Sequence, residues 1–434
     1  MRRTRLSILF VLLLSTFSVL AAPAGAKAKA RAPKPAAAPA LPAQLVLGHQ
    51  LDEESAERLE PLIEQFNSQN KEVQISLARR VAGEAPKHIN LVTTEEQLRF
   101  TDNKARFRPL HELMRAAKEP FDAAKLSPEL RDGLVDGRGR LMALPLAFST
   151  PVLYINKEAF RKARLDPENP PKTWLEMQEV AGQLFEAGER CPFTTSWPTW
   201  TFIDNVSTWN GVDVSDNKGK LTFNGLVQVK HLAMMASWHK AKYLHLFGHR
   251  DEADRRFANG ECAMLTSNSS LFTQLNISKQ VDAGASTFPY HDDVYGAPKN
   301  TLADGAALWF SADLKPAEVK GAAKFVNYVL GPEIQIRLTL AGGFLPITPV
   351  ARATASSKLL QSDLYALQAA YSQLQGKTIA PKVRPSQIAA VRTILDEELD
   401  AVWANRKPAK EALDAAAQRA NAALSRAPVR SRGK

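Results

Sequence analysis

Apolar and polar positions follow two different periods along this chain of 434 residues, and each change of period marks out an element. Leu45, Val46 and Leu47 form a short apolar run, as a buried strand does. Ala56, Leu59, Leu62, Ile63 and Phe66 then recur three and four residues apart, which predicts an amphipathic helix. Val73, Ile75 and Leu77 alternate with polar residues, the period of a half-buried strand. Strand, helix, strand is the unit from which parallel sheets are built, so the body opens as α/β. Apolar runs at Leu141–Pro145 and Val152–Ile155 predict further strands. Thr173, following the Pro170–Pro171 breaker, is placed to cap a helix. From Thr354 onward the pattern reads as helices almost without interruption, and no repeat of solenoid period occurs.

The extreme amino terminus is patterned differently. Arg2, Arg3 and Arg5 precede an uncharged, mostly apolar run from Leu6 to Leu20, and Ala21, Ala22, Ala24 and Ala26 follow it. A basic start, a short apolar run and small residues are the three parts of a secretory leader, so residues 1–26 read as a signal peptide cleaved between Ala21 and Ala26. An uncleaved anchor is the competing reading, although the run is short for a membrane span. No Cys follows the run, which excludes a lipid anchor. Residues 27–43 form an Ala/Pro/Lys linker.

The formal charge of +11 suggests nucleic acid until it is located. Residues 1–43 hold seven basic and no acidic residues, and residues 405–434 hold eight basic and two acidic ones. The body between them is therefore near neutral, and a basic groove is not indicated; the tails are solvated ends unable to form a core. A chain of this length matches two packed lobes better than one. Its two cysteines, Cys191 and Cys262, either close one disulfide or remain two buried thiols.

Catalytic motifs are scarce. No nucleophile elbow, no phosphate-cradling Gly-rich loop with its Lys, no HExxH and no dinucleotide fingerprint occurs, so the chain is read as a non-enzyme without a cofactor. His239, His245 and His249 lack a third ligand at an established spacing and read as solvent-exposed histidines; no metal is expected. Asp396, Glu397 and Glu398 lie beside Ile394, Leu395, Leu399, Val402 and Trp403, whose spacing is the core face of a helix. The acids then read as its solvated face.

Longer motifs are more specific. The stretch Ser149 to Phe160 (STPVLYINKEAF), then Asp166-Pro167 and Pro170 to Trp174 (PPKTW), resembles the family 1 extracellular solute-binding proteins, and within them the binders of glycerol-3-phosphate. Trp209-Asn210-Gly211, Phe257 to Met264 (FANGECAM), Gly305 to Trp309 (GAALW), Gly343 to Thr348 (GFLPIT) and Asp396 to Leu399 (DEEL) continue the resemblance in order, from Leu47 to Leu424. It implies a two-lobed α/β periplasmic binding protein, type II and cluster B/D-like, with a helix-rich carboxyl-terminal third. Lobe 1 would hold residues 44–150 and about 305–350, lobe 2 residues 151–304 and about 351–425, and residues 426–434 a basic tail. The implied role is the substrate-binding component of an ABC importer, a periplasmic monomer that delivers its solute to a permease pair driven by a cytoplasmic ATPase. The implied solute is glycerol-3-phosphate or a glycerophosphodiester, enclosed by hinge closure. A sugar or polyol binder with a diverged cleft, or a sensor docking on a receptor, is the alternative.

The resemblance also implies site residues. Ser149 matches the family's phosphate-site serine, Gly305 the glycine whose missing side chain lets ligand approach the backbone, and Arg392 the late arginine. Trp197 and Trp200 match the paired tryptophans beneath the ligand, whose rings suit a polyol face or a choline cation. Each has a plainer reading. Ser149 can turn the chain before Pro151, Gly305 can form a turn after Asp304, Arg392 can pair with Asp396 one helical turn on, and the tryptophans can be core. Several positions depart from the family. Its glutamate falls on Thr94, or on Glu95 one residue later; its second serine on Asn268, beside Ser267 and Ser269; and its tyrosine before Leu-Pro-Ile-Thr on Phe344. The segment Arg79 to Ala85 is too short to hold the family's other tyrosine. Losing one buried donor to a phosphate oxygen costs about 1–3 kcal/mol, so these departures weigh on the ligand and not on the fold.

Overall fold

The computed structural model describes residues 41–51, 53–81, 84–94, 96, 106–136, 138–359, 365–374 and 385–426. The expected signal peptide, most of the linker, the alternative site residue Glu95 and nearly all of the basic tail lie outside the described residues. Among the described residues the strands, in chain order, are β1 (Ala43–His49), β2 (Val73–Arg79), β3 (Ile89–Thr93), β4 (Phe107–Arg108), β5 (Leu144–Ser149), β6 (Pro151–Asn156), β7 (Phe193–Thr195), β8 (Leu244–His245), β9 (Met264–Asn268), β10 (Ala283–Thr287) and β11 (Asp304–Ser311).

They form two mixed sheets. The first runs β2-β1-β3-β11-β4, with β5 also paired to β11; the second runs β10-β6-β9-β7-β8. β1 and β2 are parallel in register from Ala43↔Val73 to His49↔Arg79, joined by the helix Glu53–Gln69. That helix buries Leu59, Leu62, Ile63 and Phe66, the spacing seen in the sequence. β11 runs antiparallel to β3, β4 and β5, which makes the sheet mixed rather than purely parallel. The strand anticipated at Leu141–Pro145 begins at Leu144 and continues to Ser149; Leu141 makes only an isolated bridge to Val135.

β6 is buried on both faces, and its alternation divides two cores. Val152 and Tyr154 join the core under the first sheet, whereas Leu153 and Ile155 join a second one with Trp174, Phe193 and Met264. A third core joins the helices Pro385–Trp403 and Ala409–Arg426 to the helix Leu226–Lys240 through Leu395, Leu399, Leu413 and Leu232. Thr173 caps the helix Trp174–Glu186 in a reciprocal capping box with Glu176. Cys191 and Cys262 form a disulfide between the approaches to the adjacent parallel strands β7 and β9.

The chain passes between the sheets twice in the same place. It leaves the first sheet at Ser149, turns through the fully buried Thr150 and enters the second at Pro151. It returns from Thr301 to Asp304 at the start of β11. The hydroxyls of Thr150 and Thr301 hydrogen-bond to each other, and Thr150 also exchanges main-chain and hydroxyl bonds with Ser269. Asn205 clamps the return segment, accepting from Leu302 N at 2.7 Å.

Candidate ligand-binding site

The two crossings converge on Asp304. Asp304 stands opposite Ser149 in the β5–β11 ladder, and its Oδ1 accepts from Thr94 Oγ1 at 2.5 Å and from Gly305 N at 2.7 Å. Its Oδ2 receives Arg392 Nη2 at 2.5 Å, and the same guanidinium lies 3.7 Å from Asp204 Oδ2. Thr94, Gly305 and Arg392 are thereby brought together around one carboxylate, with Ser149 the ladder partner of Asp304. They come from the end of β3, the two crossings and the helix Pro385–Trp403. Arg392 therefore does not pair with Asp396, its neighbour one turn on, as one sequence reading had it; the longer reach to the crossing prevails.

Gly305 has a reason of its own in the strands. A Cβ there would lie 1.9 Å from Ala147 O, at the register shift in the β5–β11 ladder, so no side chain fits. Both of its main-chain groups are used, the N–H by Asp304 and the carbonyl by Thr94 N at 3.0 Å.

Asp204 lies in the π-helical turn Trp200–Asn205. Burial pushes its carboxyl up to about 6, against the pull of Arg392 and with the help of the Asp304 charge. Trp200, which opens that turn, is buried, whereas Trp197 is half-buried with φ of 55°. Trp197 N donates to Arg250 O at 2.8 Å, and the Arg250 guanidinium lies 5.6 Å from its ring. Arg250 also pairs at 3.0 Å with Asp396, which accepts from Thr199 Oγ1 at 2.5 Å.

Asn268 and Phe344 neighbour a separate close approach, between Ser270 and Gly343. Asn268 Oδ1 accepts from the N–H groups of Ser270 and Leu271, both at 3.1 Å, starting the helix Leu271–Ser278. Phe344 packs against the first core and its carbonyl accepts from Thr339 Oγ1. Between them Gly343, at φ of 67°, passes so close to Ser270 that a Cβ would lie 2.6 Å from Ser270 Cα.

Two expectations from the sequence are corrected. The acids of the late helix are not all a solvated face: Asp396 and Glu398 are buried, and Glu398 binds Lys407 and Arg419. Helix Ala409–Arg426 covers that side and supplies Arg419, and Lys407 comes from the turn before it. His239, His245 and His249 are half-buried rather than exposed, held by Leu244 O, Lys242 O and Asp400. Among the described residues no group of three metal-ligating side chains occurs.

A cavity of about 950 Å³ opens between the helices Glu53–Gln69 and Glu252–Ala258, lined by Glu53, Arg58, Phe247, Asp254 and Arg255 among others. Asp254 is buried, its carboxyl pushed up to about 7 by desolvation, and it accepts from Ser196 Oγ at 2.5 Å. Ser196 adjoins Trp197, so Asp254 links the cavity's lining to the tryptophan segment through one hydrogen bond. Asp204, Asp304, Asp254 and Arg250 escaped the sequence reading because isolated polar residues carry no period; the one available signal was an Asp directly before Gly305 at the head of a strand.

The profile of the family described as bacterial extracellular solute-binding protein matches residues 63–364. The chain belongs to that family. Bacterial extracellular solute-binding proteins related to it include the sn-glycerol-3-phosphate-binding periplasmic protein UgpB of Pectobacterium atrosepticum, 32% identical over 403 residues, covering 87% of this chain and 90% of the relative. The protein of the same name from Salmonella typhimurium is 32% identical over 413 residues, covering 87% and 92%. Among solved structures, UgpB of Mycobacterium tuberculosis in complex with glycerophosphocholine superposes with a TM-score of 0.75 at 21% identity, covering 88% of this chain and 98% of that one. The cyclic α-maltosyl-1,6-maltose binding protein of Arthrobacter globiformis gives 0.74 at 19%, covering 88% and 99%. These structures share the two-lobed solute-binding fold. A solute-binding protein of this family binds its solute and does not transform it.

Proposed function

We propose that the chain is the substrate-binding component of an ABC importer, working in the periplasm after loss of its leader. It captures a glycerol phosphate ester, glycerol-3-phosphate or a glycerophosphodiester, between the two sheets and presents it to a permease pair. The single observation that carries the reading is the convergence of Thr94, Ser149, Gly305 and Arg392 on the two crossings. Ligands of two-sheet clamps lie where the strands cross, because groups from both sides reach them there and a hinge can close over them. The names of the relatives at 32% identity support the glycerol phosphate class. Trp197 supports a binding site in its segment: a bulky residue at positive φ costs about 1 kcal/mol or more, and such strain clusters at binding sites.

A second reading, a neutral sugar or polyol, draws on the carboxylate that already occupies Arg392. The small molecule released by heat from the mature protein, purified from a periplasmic extract and identified by mass spectrometry, tests both. A glycerol phosphate ester is expected; a sugar selects the second reading; a nucleotide or peptide contradicts both.

A further inference from the structure

The arginine at the centre of the site is already committed. Arg392 is buried, its guanidinium is 2.5 Å from Asp304 Oδ2 and 3.7 Å from Asp204 Oδ2, and both carboxylates are mostly enclosed. Asp304 cannot turn away easily, because its other oxygen is fixed by Thr94 Oγ1 and Gly305 N, the latter in a strand that admits no side chain at 305. Two carboxylates therefore share one guanidinium. No further cation among the described residues pairs with Asp204 or Asp304: the ion pairs of both lead to Arg392 alone.

We propose that Asp304 is a specificity-determining residue that bars phosphate monoester dianions, so that the solute carries no net negative charge. The proposal rests on the importer reading and narrows its ligand. A dianion placed against Arg392 would have to displace a carboxylate held at three points, or sit beside it and beside Asp204. Both arrangements bring like charges within a few ångströms in a low-dielectric setting, where their repulsion is scarcely screened. A zwitterionic diester or a neutral polyol meets no such barrier. Its hydroxyls can donate to the carboxylates of Asp304 and Asp204, whose remaining lone pairs are acceptors in search of donors. The raised carboxyl of Asp204 agrees with this crowding, since part of it comes from the Asp304 charge.

The test is calorimetric titration of the full-length protein and of Asp304→Asn with sn-glycerol-3-phosphate and with glycerophosphocholine. Asn keeps the oxygen that Thr94 and Gly305 use and removes the charge that holds Arg392. The wild type is expected to bind glycerophosphocholine at least tenfold more tightly than glycerol-3-phosphate. Asp304→Asn is expected to gain about tenfold or more for glycerol-3-phosphate relative to the diester, so that the wild-type preference shrinks or reverses. Wild-type protein that prefers glycerol-3-phosphate, with no gain in the variant, overturns the inference and leaves the importer reading standing. Silence of both folded proteins towards both compounds overturns the inference together with the glycerol phosphate ligand, leaving the sugar or polyol reading of the importer component. A thermal melt checks that the variant folds; if it does not, Asp204→Asn carries the same expectation for glycerol-3-phosphate, and its failure to gain has the same force.

Discussion

Two arginine–aspartate pairs meet the helix Pro385–Trp403 one turn apart, and they are built for different ends. Arg392 and Asp304 join that helix to the crossing between the sheets, with a second carboxylate beside them and little water around them. Arg250 and Asp396 join it to the loop before the helix Glu252–Ala258, with the Arg250 side chain 36% exposed and stacked on Trp197. Enclosed charges interact strongly and are costly to leave unpaired, whereas a pair whose guanidinium is open to water contributes less, even though the Asp396 carboxylate itself is buried. On the proposal above, the first pair governs which charge can enter the site, and the second only steadies its rim.

The largest expected effect lies outside both pairs and serves as their control. The disulfide spans a sequence separation of 71 residues, for which chain entropy gives a stabilisation of about 4 kcal/mol. Replacing Cys191 and Cys262 together by Ala should lower unfolding free energy in urea by about that amount, and leave affinity for glycerophosphocholine within a few-fold. A large loss of affinity would mean that the site depends on the second sheet more than on the crossings.

Arg392→Ala comes next. It leaves Asp204 and Asp304 facing each other without a cation, and should cost about 3 kcal/mol in the same unfolding experiment. A loss no larger than that of Arg250→Ala would erase the difference between the pairs. Arg250→Ala itself should cost less, about 1–2 kcal/mol, because Thr199 Oγ1 still donates to the buried Asp396 carboxylate, and should weaken binding only a few-fold.

A pH series separates the buried groups further. His291 is packed against His231 and Trp174, and its imidazole is pushed down to about 4 by burial and by Lys230. The unfolded chain takes up that proton from about pH 6.5 downward while the folded one does not. Stability is thus complete above pH 6.5 and falls by about 1 kcal/mol for each unit between 6 and 4. Asp204 acts with the opposite sign. Its folded carboxyl gains a proton below about pH 6 and the unfolded one only near 3.8, so its burial penalty shrinks as pH falls through that window. Guanidinium unfolding curves of His291→Gln should be flatter than wild type between pH 6.5 and 4, and those of Asp204→Asn steeper. Parallel curves for the three proteins would remove buried titration from the account.

The strands and the first helix were legible because burial imposes a period: Leu45, Leu47, Val73 and Ile75 face a core, and so do Leu59, Ile63 and Phe66. The capping box at Thr173 was legible because its chemistry is local. The mixed sheet was not, because β11 joins β3 from more than two hundred residues away and nothing near Asp304 announces its direction. Asp396 and Glu398 misled for a related reason: a helical pattern shows which face meets its first neighbour and is silent about the helix that covers the other face. The candidate site was half legible. Motifs pointed to Ser149, Gly305 and Arg392, whereas the carboxylate that gathers them is a single residue whose meaning depends on three distant partners.

Hydrogen exchange of the full-length protein with and without saturating glycerophosphocholine tests most directly whether a solute is held where the sheets cross. The account predicts slowed exchange in residues 147–150 and 301–306 and around Arg392, with the outer helix Ala409–Arg426 unchanged. Binding by calorimetry without protection at either crossing would contradict it.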